Sequence, residues 1–164
     1  MKAIVLTISD KGAIGQRVDT AGPAVTKLLE AHGYEVIDNP ILPDDFEQIV
    51  SSLNQAVNNE ISLILTVGGT GFSKRDITPE ATQAVITRQT PGLNELMRLE
   101  SLKITNRAML SRATSGLKDN SLIVNLPGSE KAATENLGFI LPILEHGLKI
   151  LLGEDANCGV PVTK

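Results

Sequence analysis

Leu65-Thr66-Val67-Gly68-Gly69-Thr70-Gly71-Phe72-Ser73-Lys74-Arg75-Asp76-Ile77-Thr78-Pro79-Glu80 runs from an apolar strand, through a glycine turn and past two cations and an aspartate, into the start of a helix. Strand, turn and helix in direct succession form the repeating unit of an α/β fold. Gly68, Gly69 and Gly71 admit backbone conformations and close approaches that side chains block. Such a turn aims several N–H groups at one anion, and a phosphate is its natural guest. Asp76, directly after Lys74-Arg75, adds a hard oxygen ligand of the kind Mg²⁺ prefers. Turn, cations and carboxylate together point to phosphoryl or nucleotidyl transfer more than to simple binding.

Outward from this stretch, strand-like apolar runs occupy 3–8, 35–42, 61–67 and 121–126, with helical patterns between them. Ala24, Val25, Leu28 and Leu29 share one helix face, which Pro23 starts and Gly33 ends. Phe46, Ile49, Val50, Leu53 and Val57 recur at helical spacing behind Asp44-Asp45, which suit an N-cap and first turn. Thr78-Pro79-Glu80 reads as an N-cap with proline at the first helical position. Ala133 to Leu151 line a long final helix. Residues 88–116 read as irregular, with a Pro91-Gly92 turn and a short helix over 94–102. The expected architecture is one domain over 1–164, an α/β/α sandwich on a mostly parallel sheet, with an irregular tail over 153–164. In such sheets ligands bind at the carboxyl ends of strands. Ser9-Asp10, Leu42-Pro43-Asp44, the 68–71 turn and Asn125-Leu126-Pro127-Gly128-Ser129 all follow strands, so they can converge on one edge.

Composition narrows the chemistry. The chain has 164 residues, 41% of them hydrophobic, yet its only aromatic residues are Tyr34, Phe46, Phe72 and Phe139. The core is therefore aliphatic, as buried parallel sheets are. A formal charge of −4 without a Lys/Arg-rich block argues against a nucleic-acid surface. No apolar run reaches membrane-spanning length. Met1-Lys2 leads into a strand-like run with no secretory apolar segment, and the lone Cys158 fits a reducing compartment, so a cytoplasmic protein is expected. His32 and His146 read as cap or surface residues, too few for a histidine triad or a zinc cluster. Walker A and G-x-G-x-x-G patterns are missing.

Single residues keep two readings at this level. Asp44 is an N-cap or a functional carboxylate; Asp76 caps the helix near Thr78 or binds a cation; Ser129 caps the last helix or offers its N-terminus to an anion. Ser9-Asp10 opens a loop with Lys11, Gly12, Gly15 and Arg17 that suits a lid.

Over about residues 3–152 the chain resembles the molybdopterin adenylyltransferases of the Mog/MoaB type, which include domains of gephyrin and of plant molybdenum-cofactor proteins. The resemblance rests on Thr7-Ile8-Ser9-Asp10, Leu42-Pro43-Asp44, Gly68-Gly69-Thr70-Gly71 with Arg75-Asp76-Ile77-Thr78-Pro79-Glu80-Ala81-Thr82, Leu110-Ser111-Arg112 and Asn125-Leu126-Pro127-Gly128. It implies a three-layer fold, usually trimeric, that adenylates molybdopterin with ATP and Mg²⁺ and releases pyrophosphate. It places the catalytic, metal-holding aspartates at Asp44 and Asp76. Substrate and ATP contacts are implied at Ser9, Asp10, Gly68, Gly69, Thr70, Gly71, Arg75, Ser111, Asn125, Pro127, Gly128 and Ser129. A homotrimer that passes its product to a molybdenum-insertion protein is the implied assembly, with Leu93, Leu96, Met97 and Leu99 as candidate interface residues. Two departures stand out: Val67 replaces a common threonine, and Ala21 a common serine. A non-catalytic molybdopterin-binding module of the same fold is the alternative.

Overall fold

The computed structural model describes residues 1–154; the expectation of an irregular tail, and Cys158, fall largely or wholly outside them. Strand β1 (Lys2–Ile8) is followed by a one-turn helix α1 (Asp10–Ala13) and by α2 (Ala21–Ala31). Two short strands, β2 (Glu35–Val36) and β3 (Ile41–Leu42), lead to α3 (Phe46–Asn58) and β4 (Leu63–Val67). Next come α4 (Thr78–Val85), β5 (Arg88–Gln89), α5 (Pro91–Leu102) and a 3-10 helix over Asn106–Leu110. The hairpin β6 (Ser115–Lys118) and β7 (Ser121–Leu126) precedes the long α6 (Glu130–Leu151).

The sheet runs β2-β1-β4-β7-β6-β5, with β3 also on β1. The pairings of β1 with β2, β3 and β4, and of β4 with β7, are parallel; β6 is antiparallel to β5 and β7. The expected three layers and mostly parallel sheet are present, with an antiparallel edge. Side-chain alternation along β4 makes the layers: Leu63, Leu65 and Val67 face the core under α2, α5 and α6, while Ile64 faces α3 and α4. Both clusters are aliphatic except for Tyr34 and Met97 in the first, and each buried Leu or Ile contributes about 1.5–3 kcal/mol against exposure.

Three expectations need correction. The single strand over 35–42 is two short strands, because Asp38 and Asn39 turn locally and Pro40 lacks an N–H; the Asp38 and Pro40 carbonyls still accept from Val5 and Thr7. Pro91-Gly92 is the first turn of α5 rather than a loop, and β5 and β6 fill the stretch read as irregular. Met97, at 2% exposure, is a core residue rather than a candidate interface residue, whereas Leu93 and Leu96 are half-buried and Leu99 is exposed. Among the described residues no helix is long and apolar enough to cross a membrane.

Candidate functional site

From β1 the chain turns to β2 on one side; from β4 it proceeds to the strands on the other. The gap between β1 and β4 is thus the topological switch point, where open α/β sheets bind ligands. A cavity of about 370 Å³ opens there, and all four strand-end turns reach it: Ser9 after β1, Asp44 after β3, Gly68 and Gly69 after β4, Gly128 and Ser129 after β7. Asp76 also lines it.

The glycines are required by geometry. Gly68 (φ 111°) and Gly69 (φ 64°) occupy backbone conformations that L-residues avoid. A Cβ on Gly68 would strike the Ile8 carbonyl, and one on Gly69 would strike Thr78 Oγ1 and lie 3.0 Å from Asp44 Oδ1. Among the described residues, the amides of Gly69, Thr70 and Gly71 donate no hydrogen bond. Three consecutive unspent donors make an anion-binding nest.

The two readings of Asp44 separate cleanly. Asp45, not Asp44, caps α3: its Oδ1 accepts from the Gln48 amide at 3.0 Å. Asp44 instead accepts from the Asp10 amide through Oδ2 at 3.0 Å, and its own amide donates to Asp10 Oδ1 at 3.0 Å. Arg75 grips Asp10 with both arms, Nε to Oδ2 at 2.9 Å and Nη2 to Oδ1 at 3.0 Å. The Arg75 guanidinium and then the Asp44 amide hold the Asp10 carboxyl below the usual carboxylate range. Desolvation pushes Asp44 upward, and the charges of Asp10 and Asp76 add to that against the opposing Asp10 amide and Arg75.

Asp76 accepts the Ser73 amide through Oδ2 at 3.2 Å and caps no helix. The expected Thr78 cap is also absent: Ile77 stands at the cap position, and Thr78 Oγ1 is buried without a partner beside Gly69. The loop is braced by Arg112, a residue of the resemblance motifs to which the sequence assigns no role. Its Nε donates to Gly71 O at 2.7 Å, its Nη2 to Asp76 O at 2.8 Å, and its Nη1 pairs with Glu80.

The remaining candidates divide. Thr70, Gly71, Ser111 and Pro127 line a second, largely apolar cavity of about 290 Å³ beside the first. Ser129 lines the first cavity and caps α6, accepting from the Ala132 amide at 3.3 Å. Asn125 lines neither: it is fully buried, donating to Thr66 Oγ1 at 2.9 Å and Thr82 Oγ1 at 2.8 Å, which ties β7 to β4 and α4. Asp19 is an addition. It accepts from the Ala21 and Gly22 amides, both at 3.0 Å, and from Thr7 Oγ1 at 2.6 Å, on the cavity wall. An Asp-Thr pair before a helix is an N-terminal signal and marks it in sequence; the Thr7 contact, from a distant strand, has no local signal.

Among the described residues no group of three or more His, Cys, Asp or Glu side chains suits a metal ion. Asp44 and Asp76 nevertheless fit Mg²⁺, which takes one or two carboxylates and completes its shell with phosphate and water.

Residues 4–146 match the family described as probable molybdopterin binding domain. The chain is 38% identical over 156 residues to a molybdopterin adenylyltransferase of Helicobacter pylori, covering 91% of this chain and 86% of that protein. It is 38% identical over 157 residues to gephyrin of Dictyostelium discoideum, covering 90% of this chain but spanning only 22% of gephyrin's length. The crystal structure of the molybdopterin biosynthesis enzyme MoaB from Thermus thermophilus superposes with a TM-score of 0.88 at 43% identity, covering 95% of this chain and 99% of the other.

Proposed function

The chain belongs to the molybdopterin-binding domain family, and on that premise we propose that it acts in molybdenum cofactor biosynthesis as a molybdopterin adenylyltransferase. ATP and molybdopterin give adenylyl-molybdopterin and pyrophosphate. The terminal phosphate of molybdopterin attacks the α-phosphorus of ATP, and the bond from that phosphorus to the pyrophosphate oxygen breaks. The nucleophile is already largely ionised at pH 7, so a site without histidine or cysteine suffices. What must be overcome is the approach of two anions, and the means are positioning and charge neutralisation.

The observation that carries this reading is the meeting of Asp44, Asp76 and the glycine turn on one cavity at the switch point. Asp44 and Asp76 would hold Mg²⁺, which when bound neutralises phosphate charge. The unspent amides of Gly69, Thr70 and Gly71 cradle phosphate, and the start of α6 at Ser129 favours a second anion. Gly128 faces the first cavity and Pro127 the second, as Gly69 and Gly71 do, so substrates seated in the two cavities meet across one backbone ridge. A cytoplasmic homotrimer that hands its product to a molybdenum-insertion protein completes the proposal.

The test is pyrophosphate release that requires both Mg²⁺ and molybdopterin. Molybdopterin binding without pyrophosphate release would establish the non-catalytic module instead.

A further inference from the structure

The family resemblance implies a substrate contact at Asp10, yet both oxygens of that carboxylate are already committed. Oδ1 accepts from the Asp44 amide and from Arg75 Nη2, and Oδ2 accepts from Arg75 Nε. Three of about four acceptor sites on that carboxylate are thus taken by the chain's own donors. Asp44 is the reverse case. Its Oδ2 is held by the Asp10 amide, while its Oδ1 is turned to Gly69 and accepts nothing among the described residues. The Asp10–Asp44 exchange joins the turns after β1 and β3, and Arg75 ties in the loop after β4. Three separate chain segments are thus fastened through one side chain.

Stability does not explain this arrangement. The Arg75 and Asp10 side chains are 64% and 42% exposed, and exposed ion pairs stabilise folds weakly. The bidentate fork nonetheless fixes orientation, as guanidinium–carboxylate pairs do. Building on the proposed reaction, we propose that Asp10 is a positioning residue: it anchors Asp44 from both sides so that Oδ1 alone is presented to the cation beside the glycine turn. Arg75 serves the same end by keeping Asp10 in place, rather than by binding substrate.

Mn²⁺ serves as the probe, its uptake by the ATP-loaded protein followed by electron paramagnetic resonance for the wild type, Asp10→Ala, Asp10→Asn and Asp44→Asn. Asp10→Ala weakens Mn²⁺ about tenfold, the low end for losing a residue that orients a metal ligand. The Mg²⁺ concentration for half-maximal turnover rises in parallel, and turnover at saturating Mg²⁺ recovers, a split that general loosening of the fold does not give. Asp10→Asn keeps an acceptor for the Asp44 amide and loses only part of the affinity; being nearly isosteric, it carries the test if the alanine variant is unstable. Wild-type Mn²⁺ affinity in Asp10→Ala, with Asp44→Asn weakened, overturns the positioning role and leaves the proposed reaction standing. A wild-type protein that takes up no Mn²⁺ with ATP overturns both.

Discussion

The two faces of the sheet bury cores of different size. Under α2, α5 and α6 lies the larger core cluster, aliphatic except for Tyr34 and Met97. Under α3 and α4 the cluster is smaller, and next to it sit the buried polar links of Asn125 with Thr66 and Thr82 and the unpartnered Thr78 hydroxyl. Asp44 stands just before α3 and Asp76 just before α4, so the candidate catalytic carboxylates lead into the helices over the smaller cluster. The larger cluster is the main apolar core.

Mutations test that division. Leu137→Ala, at a fully buried position on α6, should lower unfolding free energy by about 2–5 kcal/mol while the folded variant keeps wild-type kcat/KM. Urea titration and pyrophosphate release measure the two; impaired turnover in the folded variant would erase the contrast. Asp76→Asn should do the opposite, lowering adenylation by about 10²-fold or more, the scale for one preorganised electrostatic group, at an unchanged Tm.

Neighbouring aspartates sharpen the line further. Asp44→Asn should cut turnover strongly with little change in Tm, because Asp45 does the capping. Asp45→Ala should lose about 1 kcal/mol of stability and leave turnover intact. Equal kinetic defects in the two would mean that the α3 start acts only as a structural unit.

The smallest effect concerns Tyr34. Desolvation, with the Glu145 charge behind it, raises its phenol above the ordinary value of 10.0. As pH rises past that value the unfolded chain loses this proton before the native one does, so stability falls with pH. Tyr34→Phe should flatten this alkaline limb and leave the protein at least as stable at pH 7, since it removes a hydroxyl buried without a partner. Thermal melts across pH 8–11 decide it.

Much of the site is legible in the sequence because its parts are local. A glycine run after a β-branched strand, a serine before a long helix and an acidic pair before a helix each carry their meaning within a few residues, and the shared strand-end origin of four turns places them on one edge. The misreadings are long-range or weakly encoded. Only tertiary pairing makes a strand of Ser115-Gly116-Leu117-Lys118, since glycine and serine favour none. Asp44 and Asp45 are chemically identical, and only the long-range contact with the Asp10 amide sets Asp44 apart from the capping Asp45. Arg112 braces a loop whose Gly71 lies 41 residues earlier, which no spacing rule reveals. The resemblance implies a ligand contact at Asn125, but its side chain points into the sheet's polar links rather than the cavity.

Where β4 and β7 end, Gly68 and Gly128 meet backbone against backbone: a Cβ on Gly128 would lie 3.1 Å from Gly68 Cα, and one on Gly68 would strike Ile8 O. This seam limits how the protein can diversify. A side chain on Gly68 strikes the Ile8 carbonyl from a positive φ, and one on Gly128 forces the Gly68 backbone to give way by a few tenths of an ångström, so change at the cavity floor carries a packing cost. The segment from Lys11 to Val18, the end of α1 and the loop after it, is largely exposed and borders the same cavity through Gly12, Arg17 and Val18. Surface loops accept substitution and insertion far more readily. Changes in ligand preference are therefore expected to accumulate in that rim, above a floor that scarcely varies.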